Sequence, residues 1–125
     1  MKLPKDIVLD NSAIASNLVK FATRCGNVSG TAYRASGEYE TDFDVVNAAK
    51  SDLVSSDGTP ISMKIVQRET GCFDVLGRVS FIFDDGVFTV EAFGFDFWVD
   101  PDQIDEPVQI GDWVYLLIRN LTLFV

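Results

Sequence analysis

Apolar residues recur in residues 12–25 at Ile14, Leu18, Phe21, Ala22 and Cys25, the three- and four-residue steps that line one face of a helix. Ser12 stands where an N-cap belongs and Gly26 where a left-handed residue closes a helix, so the pattern predicts one main N-terminal helix. Val19 and Phe21 are also good strand residues, which leaves a two-strand arrangement open. Residues 28–41 mix Gly30, Thr31, Tyr33 and Tyr39 with small residues, as in a strand or a hairpin around Ser36-Gly37. Residues 44–53 suit a short helix starting at an acidic cap, and Ser55-Ser56-Asp57-Gly58-Thr59-Pro60 reads as a turn-rich loop.

The second half follows a different rule. Residues 61–67, 73–83, 87–93, 95–99 and 108–125 are rich in Val, Ile and Phe and are separated by Gly, Asp and Pro, the signature of strands in a meander. Asp84-Asp85-Gly86 marks a hairpin, because an Asp-Gly pair accepts the positive φ of a tight turn. Asp100-Pro101 places a capping acid before a proline at the first helical position, which predicts one short helical turn in 101–106. These elements predict an α+β fold: a strand-dominated, twisted antiparallel sheet or small barrel with one main N-terminal helix. No repeat, low-complexity run or linker divides residues 1–125, so a single domain is expected.

Composition rules out disorder as the main state. At 47% hydrophobic and 12% aromatic residues, the chain has enough apolar surface to build a core despite a net charge of −9. Its 19 acids outnumber 10 bases, and from Val79 onward nine acids face one base, Arg119. Such a field repels nucleic acid and attracts basic surfaces. There is no histidine, which removes the usual general base near neutral pH and the commonest metal ligand. Asp6 and Asp10 interrupt the apolar residues of the amino terminus, unlike a signal peptide, and the longest apolar stretch, 113–118, is far short of the roughly 20 residues that span a bilayer. A soluble, cytoplasmic protein is the expectation. Cys25 and Cys72 have neither Cys-x-x-Cys spacing nor histidines to complete a zinc site, and are expected as two buried free thiols, a single disulfide being the other option.

Two acidic constellations stand out. As a strand, Glu38-Tyr39-Glu40-Thr41-Asp42-Phe43-Asp44 puts four carboxylates on one face and Tyr39 and Phe43 on the other, with same-face neighbours about 6.7 Å apart. That comb could face a basic groove or a row of Lys and Arg; its simpler role is to protect an edge strand from aggregation. The second, from Asp96 to Glu106, sets Trp98 among Asp100, Asp102, Asp105 and Glu106. Trp98 there is either an anchor for a basic partner or, as most tryptophans are, largely buried, with the acids solvating a loop. The spacing matches no calcium loop, so neither a metal nor another cofactor is expected. A carboxylate pair could support glycoside hydrolysis, but no pair can be singled out, and no Gly-rich phosphate loop or Gly-x-Ser-x-Gly elbow occurs, so an enzyme is not expected.

The run Gly77-Arg78-Val79-Ser80-Phe81-Ile82-Phe83, then 87–92, then 95–99, then Ile110-Gly111-Asp112-Trp113-Val114 is similar to the strand succession of small oligonucleotide/oligosaccharide-binding barrels. That resemblance implies binding of single-stranded nucleic acid, for which this half lacks the basic groove. In size and acidity the chain also resembles bacterial immunity proteins that neutralise polymorphic or contact-dependent growth-inhibition toxins. This resemblance of type implies a non-enzymatic inhibitor whose acidic surface occludes the basic cleft of a nuclease-type toxin domain, with no nucleic-acid or membrane partner. The expected contacts are Glu38, Glu40, Asp42, Asp44, Trp98, Asp100, Asp102, Asp105 and Glu106. A barrel-type ligand-binding domain is the alternative, and a small carboxylate-dependent enzyme the third.

Overall fold

The computed structural model describes residues 3–10, 17–36, 41–51 and 62–124. They form β1 (Ile7–Asp10), β2 (Leu18–Thr23), β3 (Ser29–Ala35), β4 (Thr41–Lys50), β5 (Lys64–Glu69), β6 (Cys72–Ile82), β7 (Phe88–Ala92), β8 (Phe95–Val99) and β9 (Trp113–Phe124), with one 3-10 turn at Pro101–Gln103. The fold is therefore all-β, a single curled sheet resembling half a barrel, and not the α+β arrangement that the apolar spacing predicts.

The expected N-terminal helix is replaced, in its described part, by β2. Val19, Phe21 and Thr23 alternate into the core with period two, and β2 is paired on both edges, by β1 and β3. Branched and aromatic residues at alternate positions fit that two-sided pairing better than a helix face. Gly26 does adopt positive φ (76°), but it turns the β2–β3 connection instead of closing a helix. The short helix expected over 44–53 is likewise corrected by β4, in which Phe43, Val45 and Ala48 turn inward. The 55–60 loop lies outside the described residues.

β9 is the spine of the sheet. One of its edges pairs with β6 and then, in parallel, with the end of β3; the other pairs with β4. Thr122 is opposite both Tyr33 and Asp42, so β3 and β4 flank β9 and do not form a hairpin with each other. The parallel β3–β9 contact also makes the sheet mixed, where a purely antiparallel one was expected. The second half follows its sequence signals closely: β6, β7 and β8 form an antiparallel meander, with the β6–β7 turn at Asp84-Asp85-Gly86 and Gly86 at φ 90°.

The inner face of the curl holds the core, with Phe73, Val75, Val79, Phe88, Val90, Phe97, Leu116 and Ile118 all but fully buried. Gly77 is required here by packing: a Cβ on it would collide with the Glu91 carbonyl oxygen of β7. Across the open side of the curl, β4 and β8 pair with no further strand among the described residues. Phe43 of β4 and Phe97 of β8 bridge this seam with ring centroids 5.7 Å apart, edge to face.

Candidate partner-binding face

The outer face of the β6–β7–β8 meander is built around an irregularity in β6. Val79 is opposite Val90, but Phe81 is opposite Thr89, so Ser80 is an extra residue on β6. Such a bulge shifts the side-chain alternation by one position. Ile82 consequently turns inward beside Phe88, and Phe81 turns out to solvent, 53% exposed. On the next strands Thr89 is opposite Trp98, giving a row Phe81–Thr89–Trp98 across three strands. Thr89 is buried between the rings, and its hydroxyl is bonded to Ser80 Oγ at 2.6 Å.

Phe83 extends the row at the strand end. Its ring lies 4.8 Å from that of Phe81 and 6.3 Å from that of Trp98, both edge to face. Trp98 is 55% exposed and Phe83 41%. Three contiguous half-exposed aromatics each forgo roughly half of the about 1.5–3 kcal/mol that full burial of a large apolar side chain supplies, and contiguous apolar patches of this kind are characteristic of interaction sites. Trp98 thus departs from the simpler expectation of a core tryptophan: its neighbours Phe97 and Val99 take the inward positions of β8, and it takes the outward one.

Carboxylates border this patch on both sides. Asp84 and Asp85 stand on the β6–β7 turn, with Asp85 Oδ1 accepting the Val87 N–H at 3.1 Å. Across the seam, Asp42 and Asp44 project from β4, and Asp100 precedes the 3-10 turn, where its N–H donates to Gln103 Oε1 at 3.0 Å. Asp44 accepts the Asn120 side-chain amide at 2.8 Å. Among the described residues none of these five acids is paired with a base.

The expected contact residues are thus only partly brought together. Asp42, Asp44, Trp98 and Asp100 converge on one depression of about 410 Å³, together with Phe43, Val45 and Gln103. Asp105 and Glu106 line a different depression beside Pro101, Ile104 and Pro107, and Asp102 is exposed within the 3-10 turn. Glu38 and Glu40 lie outside the described residues. The alternation expected for the acidic comb holds at its described end, where Asp42 and Asp44 are exposed and Phe43 packs against the core. Phe81, Phe83, Asp84 and Asp85 were not among the expected contacts. Their signal is the uninterrupted run Phe81-Ile82-Phe83 before the turn, since three successive large apolar residues on a strand cannot all face one core.

Elsewhere, two carboxylates are paired with bases among the described residues. Arg68 Nε bonds Asp74 Oδ2 at 2.6 Å, and the Tyr115 hydroxyl donates to the same carboxylate. Burial pulls the Asp74 carboxyl upward, but the bonds from Arg68 and Tyr115 outweigh it and hold it below the ordinary range. Burial and the Asp74 bond push the Tyr115 phenol up. Asp112 accepts the Gln109 N–H and lies 3.3 Å from Lys50, which lowers its carboxyl. Trp113, unlike Trp98, carries its own cation: the Arg78 guanidinium lies 5.6 Å above its ring.

Cys25 and Cys72 are free, but Cys25 is exposed and Cys72 half-buried, which corrects the expectation of two buried thiols. Among the described residues no three Cys, Asp or Glu side chains group as metal ligands, and no helix is long and apolar enough to cross a membrane. The chain matches no family of known proteins, no curated protein and no solved structure.

Proposed function

We propose that this protein is a non-enzymatic binding module that engages a basic protein partner, in the manner of an immunity protein that occludes the cleft of a nuclease-type toxin domain. The observation that carries this reading is the solvent-exposed row Phe81, Phe83 and Trp98, bordered by five carboxylates that pair with no base among the described residues. Aromatic anchors supply much of the energy of protein interfaces, and acidic rims steer a basic partner and reject acidic ones. A platform of aromatics also suits stacked bases, the ligand of the barrel-type alternative, but the same carboxylates repel a phosphate backbone. Two unpaired thiols suit a cytoplasmic setting.

The test is stoichiometric neutralisation of a basic toxin domain encoded beside this protein's gene. The parent is expected to abolish toxin activity at equimolar ratio, and Trp98→Ala to lose at least about 2 kcal/mol of binding while remaining folded. Retained neutralisation by the Trp98 variant would remove this face from the mechanism.

A further inference from the structure

We propose that Trp98 is a two-sided platform clasped by a pair of arginine side chains of the partner, spaced as Arg-x-Arg on an extended segment. This rests on the reading of the protein as a binder of basic proteins and adds the chemistry of the contact. Among the described residues, Trp98 lines two depressions, one on each side of β8. One, of about 510 Å³, lies on the β7 side against Phe83, Asp84 and Asp85. The other lies over the seam against Asp42, Asp44 and Asp100. Each offers an aromatic surface beside carboxylates, which is the complement of one cationic side chain.

Arginine fits this pairing better than lysine. Its planar guanidinium stacks on an indole while its N–H fork reaches a carboxylate, whereas an ammonium is a compact, strongly hydrated charge. The molecule uses this chemistry internally, where Arg78 covers Trp113 and its Nε bonds the Gly111 carbonyl oxygen at 3.3 Å. Two groups stacked on opposite faces of one indole are about 7 Å apart, from two contact distances of about 3.5 Å. Side chains at alternate positions of an extended strand are separated by about 6.7 Å, so an Arg-x-Arg segment has the required span. A second copy of this chain is a poor occupant, since each copy has a net charge of −9 and would set carboxylates against carboxylates.

The test is titration of the full chain with otherwise uncharged peptides containing Arg-x-Arg, Lys-x-Lys, adjacent Arg-Arg or a single Arg, followed by calorimetry and by the two tryptophan indole N–H signals. Arg-x-Arg is expected to bind about tenfold tighter than Lys-x-Lys and to move the Trp98 signal, leaving that of Trp113 in place. The paired changes Asp84→Asn with Asp85→Asn, and Asp42→Asn with Asp44→Asn, should each reduce Arg-x-Arg to the affinity of the single-Arg peptide. Circular dichroism checks that both variants remain folded. Equal affinity for Arg-x-Arg and Lys-x-Lys, an unmoved Trp98 signal, no saturation at millimolar peptide, or indifference to either paired change would overturn the proposal. Arg-x-Arg recognition without neutralisation of a toxin would refute the inhibitor reading and leave the clasp standing. Neutralisation with no preference for arginine would do the reverse.

Discussion

The two tryptophans occupy adjacent rows on the same outer sheet face and have opposite surroundings. Trp113 begins a row that continues through Arg78, Glu91 and Asp96, and its ring is covered by the Arg78 guanidinium. Trp98 ends the neighbouring row of Phe81 and Thr89, with no base among the described residues near its acids. A short distance away, Asp74 is satisfied by Arg68 and Tyr115. Net acidity alone therefore does not separate the two indoles; the presence or absence of a cation beside the ring does. Arg78 covers Trp113 and Arg68 pairs with Asp74, whereas among the described residues no base lies against Trp98 or pairs with the acids around it.

The sharpest way to separate inward from outward roles is to compare neighbours on β8. Phe97 is 2% exposed, so Phe97→Ala should cost about 3–5 kcal/mol of stability in urea denaturation. Trp98→Ala should change stability by less than about 1 kcal/mol. Near-equal losses for the two variants would place Trp98 in the structural framework and break the contrast.

Acid-to-amide changes at Asp42, Asp44, Asp84 and Asp85 should slow association with a basic partner by about tenfold at low ionic strength, with the difference shrinking as salt is raised. Stopped-flow measurement at several salt concentrations checks this. A uniform loss at all salt concentrations would point to shape instead of charge.

On the satisfied side, Tyr115→Phe should cost about 1 kcal/mol through loss of the bond to Asp74. The Asp74 carboxyl is held below its ordinary 3.8, so its stabilising contribution is complete above that value and is lost as pH falls through the lower, folded-state value. Denaturation of the parent and of Asp74→Asn should therefore differ by a constant amount from neutrality down to about pH 5, and converge in stronger acid. A difference that grows with acid would contradict the assigned direction. The smallest effect is expected for Arg78→Ala, about 0.5–1 kcal/mol, with the Trp113 indole becoming as accessible to a fluorescence quencher as that of Trp98.

The meander of β6, β7 and β8 was legible because its strands alternate strongly and its turn at Asp84-Asp85-Gly86 carries its own chemistry. In the first half a strand within 28–41 was legible and is β3, but residues 12–25 were not, because Leu18, Phe21 and Ala22 satisfy helical spacing as well as Val19, Phe21 and Thr23 satisfy strand spacing. What decided between them was pairing with β1 and β3, a non-local term that periodicity does not contain. Trp98 and its seam acids Asp42, Asp44 and Asp100 could be selected from aromatic and acidic composition alone. Phe81 could not, since its outward direction depends on a bulge, and Asp105 and Glu106 were drawn in by proximity in sequence that the 3-10 turn at Pro101–Gln103 does not convert into proximity in space.

The extra residue at Ser80 gives this surface an unusual genetic tolerance. Loss of that one codon would place Phe81 directly after the inward Val79, still opposite Thr89 and facing outward, with Ile82 still inward, so the aromatic row would survive the deletion. A length difference of one residue at this point would therefore leave the direction of these rings unchanged, whereas a ladder that paired Ser80 regularly would send Phe81 inward and Ile82 outward.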